Sequence, residues 1–155
     1  MAFATIEGLA AVFGEPDENG DVIRPGAFRA TLIQRPASAV RMLYQHKADE
    51  PIGRWRRLRE TERGLLAEGE ISLDTERGRE AWSLARFGAL DGLSIGFRTR
   101  IARPAPGGRE LLAVDLWEIS MVTFPMAPGA RLTRIGELED APVRAAASRL
   151  LRAVS

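Results

Sequence analysis

The sequence contains no cysteine and only one histidine. Without cysteine there can be no disulfide, no thiolate zinc site and no cysteine nucleophile. One histidine cannot form a metal site built from several histidines, and the chain has no glycine-rich phosphate loop or dinucleotide-binding motif. We therefore expect neither a metal ion nor another cofactor.

The sequence also has almost no excess of charge of one sign, and it has no long apolar run. The 22 basic and 21 acidic side chains leave a formal net charge of +1, and both signs are spread along the chain. Such a chain has no strong field to attract nucleic acid or a membrane surface, so neither is an expected partner. No apolar run approaches the roughly 18 residues of a spanning helix, and the first residues lack a secretory-signal pattern. We expect a soluble, unsecreted protein in the cytoplasm.

The 155 residues, 45% of them apolar, are enough for one domain with a hydrophobic core. Alternating apolar residues and turn signals predict strands at residues 4–13, 39–45, 52–59, 65–73, 93–101 and 111–124. Helical patterns predict helices at residues 27–34 and 142–154, and a third that Asp74 or Thr75 can cap, that runs through Phe87 and that stops at Gly88. Strands joined mainly by hairpins, with peripheral helices, predict a mainly β (α+β) fold built as an antiparallel barrel or sandwich. We divide the chain into a body, residues 1–135, and a C-terminal helical tail, residues 136–155.

Ser94 lies in the most regular of the predicted strands. Apolar residues alternate with small or polar ones from residue 93 to residue 101, which places Ser94 on the face that is not apolar. Gly96 shares this face, so we expect open space beside the hydroxyl in which a substrate backbone could approach. On this window alone, a plain strand serine among small residues is the commoner explanation.

His46 is the only imidazole in the chain, so any serine chemistry that uses a histidine base must use it. Its ordinary pKa of about 6.5 suits proton transfer near neutral pH. The alternation of residues 40–44 predicts that His46 continues the apolar face of its strand. A lone histidine is more often structural than catalytic, so this residue by itself decides nothing.

Glu118 interrupts an apolar run, where an unpaired carboxylate would be costly to bury. One role for such a carboxylate is to orient an imidazole and to stabilise its protonated form. Asp115, three residues earlier and on the opposite strand face, competes for this role. Pairing of Glu118 with one of the many arginines is an equally good explanation.

Several short motifs, taken in order, resemble the HK97-type prohead proteases. They are residues 8–13, residues 21–28, Met42-Leu43-Tyr44-Gln45-His46, Pro51-Ile52-Gly53, Gly92-Leu93-Ser94-Ile95-Gly96-Phe97 and Trp117-Glu118-Ile119-Ser120. No single motif is decisive, but six in the same order and spacing across about residues 4–130 are specific. That family looks distantly related to the herpesvirus assembly proteases. The resemblance therefore implies a closed antiparallel barrel of the herpesvirus-protease type.

The resemblance also implies site residues. The family's histidine falls on His46 and its serine on Ser94, and Glu118 lies where the third catalytic residue is expected. The herpesvirus relatives use a second histidine at that third position, and this chain has none. The segment around Met126 and Ala127 departs from the family's pattern, and its backbone amides are suggested oxyanion donors.

The function that the resemblance implies is that of a serine endopeptidase of phage prohead maturation. Its expected substrates and partners are the major capsid protein precursor, the scaffolding region of that precursor and the enzyme itself, inside the prohead in a host or bacterial cytoplasm. A homo-oligomer is a further expectation, and a gene transfer agent could use the protein in place of a phage. A non-catalytic capsid assembly module and an esterase are the alternatives. The esterase is the weaker one, because its Gly-x-Ser-x-Gly motif should lie in a strand-to-helix turn, not within a strand.

Overall fold

The computed structural model describes residues 1–140, and within this range the chain forms eight strands and two α-helices. The strands are β1 (Ala2–Val12), β2 (Val22–Ile23), β3 (Arg41–Tyr44), β4 (Lys47–Glu60), β5 (Gly64–Ser72), β6 (Gly92–Ala105), β7 (Gly108–Val122) and β8 (Leu132–Asp140). The helices are α1 (Arg29–Gln34) and α2 (Glu76–Phe87), and a short 3₁₀ helix covers Ala37–Ala39. The predicted helix at residues 142–154 lies outside the described residues, and the domain boundary after residue 135 stays a prediction.

Helix α2 begins and ends where local chemistry dictates. The hydroxyl of Thr75 accepts a hydrogen bond from the backbone N–H of Gly78 at 3.1 Å, which caps the first turn. Gly88 ends the helix in the left-handed conformation, with φ of 87°, that glycine adopts without a steric cost. The sequence predicted the stop at Gly88 and a cap at Asp74 or Thr75, and Thr75 is the residue that forms the cap.

The sheet is organised around β7, whose 15 residues make it the longest strand in the described part of the chain. β6 pairs antiparallel along one edge of β7, while β2 and β3 run parallel to β7 and share its other edge. From β3 the order continues through β4, β5 and β1 to β8. β7 is therefore central, with β6 and β3 as its two neighbours at its C-terminal end.

The chain is mainly β, but the predicted closed antiparallel barrel is wrong. Among the described residues β6 forms a ladder with β7 alone, so the sheet is not closed, and the β2–β7 and β3–β7 pairs are parallel. On the far side of β6, an isolated bridge joins Gly92 to Arg131. The segment approaching this edge contains Pro125 and Pro128, which have no backbone N–H and cannot donate to a ladder.

One set of alternate strand residues builds the hydrophobic core. Met42 in β3, Ile95 in β6 and Ile119 in β7 belong to one cluster of buried apolar side chains. Trp55 in β4 is fully buried in this cluster, and its indole N–H donates to the carbonyl of Ile119 at 3.3 Å. Because side chains alternate along a strand, the neighbours of these residues point to the opposite face, where the polar residues of the candidate site lie.

Candidate active site

Three neighbouring strands bring the predicted site residues together. In the β6–β7 ladder, Ser94 is the partner of Ser120 and Gly96 is the partner of Glu118. Partners in a ladder point to the same face, so Ser94 and Glu118 share one face and are two residues apart along it. β3, on the other edge of β7, leads directly into the turn that carries His46.

His46 lies in the turn between β3 and β4, so the prediction that it continues the apolar face of its strand is wrong. Gln45 and His46 have φ angles of 52° and 60°, a left-handed conformation that residues other than glycine adopt infrequently. The backbone N–H of Gln45 donates to the carbonyl of Met121 at 2.9 Å, and that of His46 donates to Oγ of Ser120 at 3.0 Å. Hydrogen bonds to β7 therefore hold the turn in a conformation that its own sequence does not favour.

The imidazole of His46 is in direct contact with Glu118. Its Nδ1 is 2.5 Å from Oε1 of Glu118, so Nδ1–H donates a charge-assisted hydrogen bond to the carboxylate. This bond raises the pKa of His46 above its ordinary value of about 6.5, outweighing the partial burial that acts in the opposite direction. Because Nδ1 is engaged, Nε2 is the nitrogen that can accept a proton from another group.

The carboxylate of Glu118 is held from two sides and is largely buried, with 14% of its side chain exposed. Its Oε1 accepts from His46, and its Oε2 accepts from Oγ of Ser120 at 2.5 Å. The side chain lies across Gly96, where an added Cβ would be 2.4 Å from Oε1. The prediction of open space over Gly96 is therefore wrong, because this glycine makes room for Glu118 and not for substrate.

Ser94 is buried, with 3% of its surface exposed. Its Oγ makes no hydrogen bond to any of the described residues, so it is not bonded to His46 in this structure. Buried hydroxyls without a partner are uncommon and call for a functional or structural reason. The strand β6 continues to Ala105, beyond the predicted end at Ile101, so the Gly-x-Ser-x-Gly string around Ser94 lies within a strand and is not the strand-to-helix turn of an esterase.

Asp115, the other carboxylate considered for the site, has different partners. It forms an ion pair with Arg35 at 3.0 Å and a longer one with Arg100 at 3.7 Å. No hydrogen bond or ion pair joins Asp115 to His46 in the part of the chain that the structure describes. The structure thus places Glu118, and not Asp115, against the imidazole.

A small cavity of about 30 Å³ adjoins Ser94, and Met126 and Ala127 are among the residues that line it. This volume is enough for about one or two water molecules. The suggested oxyanion segment therefore lies close to Ser94. The role of its amides stays a prediction.

Sequence reasoning assigned no role to two residues of the site, Ser120 and Gln45, although both belong to the motifs that carry the resemblance. Ser120 had a usable signal, because it lies two residues after Glu118 in the same strand and must share its face. Gln45 had none, since glutamine in a left-handed turn has no local signature.

Nothing among residues 1–140 forms a group of three or more ligand side chains suited to a metal ion. In the same range, none of the helices has the length and apolar character needed to cross a membrane.

The fold resembles that of the herpesvirus proteases. The structure of the Kaposi's sarcoma-associated herpesvirus (KSHV) protease in complex with a hexapeptide phosphonate inhibitor superposes with a TM-score of 0.61 at 15% identity, covering 87% of this chain and 65% of that one. The varicella-zoster virus protease gives a TM-score of 0.53 at 15% identity, covering 92% of this chain and 66% of that one. At this level of identity the likeness concerns the fold alone.

Sequence comparison identifies the family. Residues 1–141 match the caudovirus prohead serine proteases, and the chain belongs to that family. The prohead protease of Enterobacteria phage HK97 is 35% identical over 125 residues, 77% of this chain and 54% of that protein. The capsid polyprotein of Pseudomonas phage PAJU2 is 31% identical over 142 residues, 86% of this chain and 20% of the polyprotein. The chain thus spans about half of the first relative and a fifth of the second.

Proposed function

We propose that this chain is a serine endopeptidase of prohead maturation, with Ser94 as nucleophile, His46 as general base and Glu118 as the group that orients His46. The observation that carries the proposal is the 2.5 Å contact between His46 and Glu118, formed beside Ser94 on the same face of the sheet. Family membership supports the reaction class. The strand context of Ser94 argues against the esterase alternative.

In this mechanism Nε2 of His46 takes the proton of Ser94 as Oγ attacks a peptide carbonyl. The resulting imidazolium gives its proton to the leaving amine, and an acyl-enzyme remains on Ser94. Water, activated by the same imidazole, then hydrolyses the ester. Glu118 keeps the proton of the neutral imidazole on Nδ1 and stabilises the charged form.

The mechanism needs a movement, because the Ser94 hydroxyl is buried and has no hydrogen-bond partner within residues 1–140. Catalytic hydrogen bonds are often formed only when substrate binds. The segment that follows β7 lies against β6: a Cβ added at Gly92 would be 2.8 Å from the ring of Pro125. We infer that a shift of this segment and rotation of the Ser94 side chain accompany substrate binding and allow Oγ to approach Nε2.

The two curated relatives suggest the substrates. One is a prohead protease and the other is a capsid polyprotein. We infer that the chain cleaves the scaffolding region of the major capsid protein precursor and also cleaves itself, inside the prohead in the cytoplasm of the host. A homo-oligomer and a role in a gene transfer agent are further proposals.

Cleavage of a peptide library tests the proposal without knowledge of the natural substrate. The purified chain is incubated with a proteome-derived peptide library, and new termini are identified by mass spectrometry. We expect cleavage by the wild type, and loss of about 10² to 10⁴ in rate for His46→Ala, the typical contribution of a positioned base. Ser94→Ala should be inactive. Ser83→Ala, at an exposed serine of α2, is the matched control and should retain full activity.

The burial of Ser94 Oγ is the observation that favours the second candidate, a non-catalytic capsid assembly module. If neither the library nor the chain itself is cut by the wild type, the endopeptidase proposal is refuted and the assembly module is supported. Equal cleavage by wild type and Ser94→Ala would also refute the assignment of the nucleophile.

A further inference from the structure

Ser120 is the most completely buried polar residue of the site, with no exposed surface. A hydroxyl has one proton to donate and can also accept. Ser120 uses both capacities on catalytic candidates: Oγ donates to Oε2 of Glu118 at 2.5 Å and accepts from the backbone N–H of His46 at 3.0 Å. A single hydroxyl thus contacts the main chain of the proposed base and the side chain of its proposed partner.

The turn that carries the imidazole depends on such contacts. Two successive non-glycine residues, Gln45 and His46, are left-handed, and this conformation persists only where the surroundings impose it. The amide side chain of Gln45 donates to Oγ of Thr123 at 2.7 Å and accepts from the backbone N–H of Thr123 at 3.2 Å. Ser120 holds the next residue of the turn. The end of β7 therefore fixes the turn at two consecutive positions.

We propose that Ser120 is a positioning residue that joins the His46 backbone to the Glu118 carboxylate and so sets the geometry of the base and its partner. This inference rests on the proposed function of His46 and Glu118. Each of the two bonds to Ser120 restrains one partner of the His46–Glu118 contact. Removal of the hydroxyl frees both partners at once and leaves Glu118 with one hydrogen-bond donor fewer in a largely buried position.

The alternative, that the Ser120 hydroxyl has a merely structural role, predicts a different result. If Ser120 only satisfied a buried strand position, its loss would lower stability and leave the imidazole unchanged. Glu118 is the group that raises the pKa of His46. The charged residue next to His46 in the sequence, Lys47, forms an ion pair with Glu50 at 3.6 Å instead. The titration of His46 therefore reports on its contact with Glu118.

Nuclear magnetic resonance can follow this titration directly, because the chain has one histidine and its ring signals need no residue assignment. We expect the pKa of His46 to be lower in Ser120→Ala than in the wild type, and lower still in Glu118→Gln. Ser83→Ala, at an exposed serine, should titrate as the wild type does. A His46 pKa in folded Ser120→Ala equal to that of the wild type overturns the proposal.

Two measurements complete the test. In the unmutated protein, the His46 backbone N–H should be protected from hydrogen exchange although the residue is exposed; rapid exchange overturns the proposal even if Ser120→Ala does not fold. Labelling of Ser94 by a fluorophosphonate should be about ten- to a hundredfold slower in Ser120→Ala, the cost of a small misplacement of catalytic groups. If the wild type is not labelled at all, the proposed function fails, while the titration still decides the role of Ser120.

Discussion

At the level of single residues, the site depends on a missing side chain as much as on those present. Glu118 reaches His46 by lying across Gly96, where a Cβ would be 2.4 Å from Oε1, 2.8 Å from Cγ and 2.9 Å from Cδ. Gly96 is thus a requirement for the position of Glu118.

We predict that Gly96→Ala reduces kcat by about ten- to a hundredfold, because the carboxylate must move away from the imidazole. Peptide cleavage under saturating conditions measures this effect. Thr99→Ala, three residues later in the same strand, is the control and should stay close to the wild type. Full activity in Gly96→Ala would show that the position of Glu118 does not matter for catalysis.

The pH dependence of cleavage is a second residue-level prediction. A general base must be neutral, so kcat/KM falls when the pH drops through the pKa of His46 in the free enzyme. Glu118 raises this pKa, which puts the acidic limb of the profile above pH 6.5. In Glu118→Gln the limb should move to lower pH, while the maximal rate also falls. An acidic limb at the same pH in both proteins would exclude Glu118 as the cause.

Among the elements, helix α2 provides a test of local structure that is separate from the site. The helix packs on β4 and β5, and its N-terminus is capped by Thr75. We predict that Thr75→Ala lowers the free energy of unfolding by about 1 kcal/mol and leaves peptide cleavage unchanged. Urea denaturation measures the first effect. Ser83→Ala in the middle of the same helix should be nearly neutral in both assays.

Local patterns predicted most elements because the information for them is local. The cap at Thr75 and the stop at Gly88 delimit α2, and alternation identifies β6 around Ser94. The strand β8 was not predicted, because its residues 132–140 are mostly polar and become a strand by pairing with β1. The turn at His46 was also missed, since Gln45 and His46 are not residue types that signal a left-handed turn, and its hydrogen bonds are made to β7, far away in the sequence.

At the level of the whole molecule, the prediction that proved wrong was closure of the sheet into a barrel. Whether β6 pairs with a second strand depends on the path of the chain between β7 and β8, which no periodicity within β6 reveals. The sequence shows the two prolines of that segment, but it does not show that the segment lies against the edge of β6. The three candidate site residues, in contrast, could be predicted because the family resemblance links them across strands that are distant in sequence, and their catalytic roles stay a proposal.

The core behind the site offers a prediction about global stability. Trp55 has no exposed surface, and its indole N–H is bonded to the carbonyl of Ile119, the residue between Glu118 and Ser120. Trp55→Ala should lower the free energy of unfolding by about 3–5 kcal/mol, the usual cost of truncating a buried aromatic residue. Trp117→Ala is the control, because that residue is 49% exposed and loss of its side chain should cost far less. Equal losses, measured by urea denaturation, would contradict the described core.

The central claim is that His46 activates Ser94 for covalent attack, and a labelling experiment tests it most directly. The chain is treated with a fluorophosphonate, and the modified residue is identified by peptide mass spectrometry. The account predicts one adduct, on Ser94, that forms in the wild type and is strongly reduced in His46→Ala. An adduct on Ser120 or another residue, or labelling of Ser94 that is equally fast without His46, would contradict it.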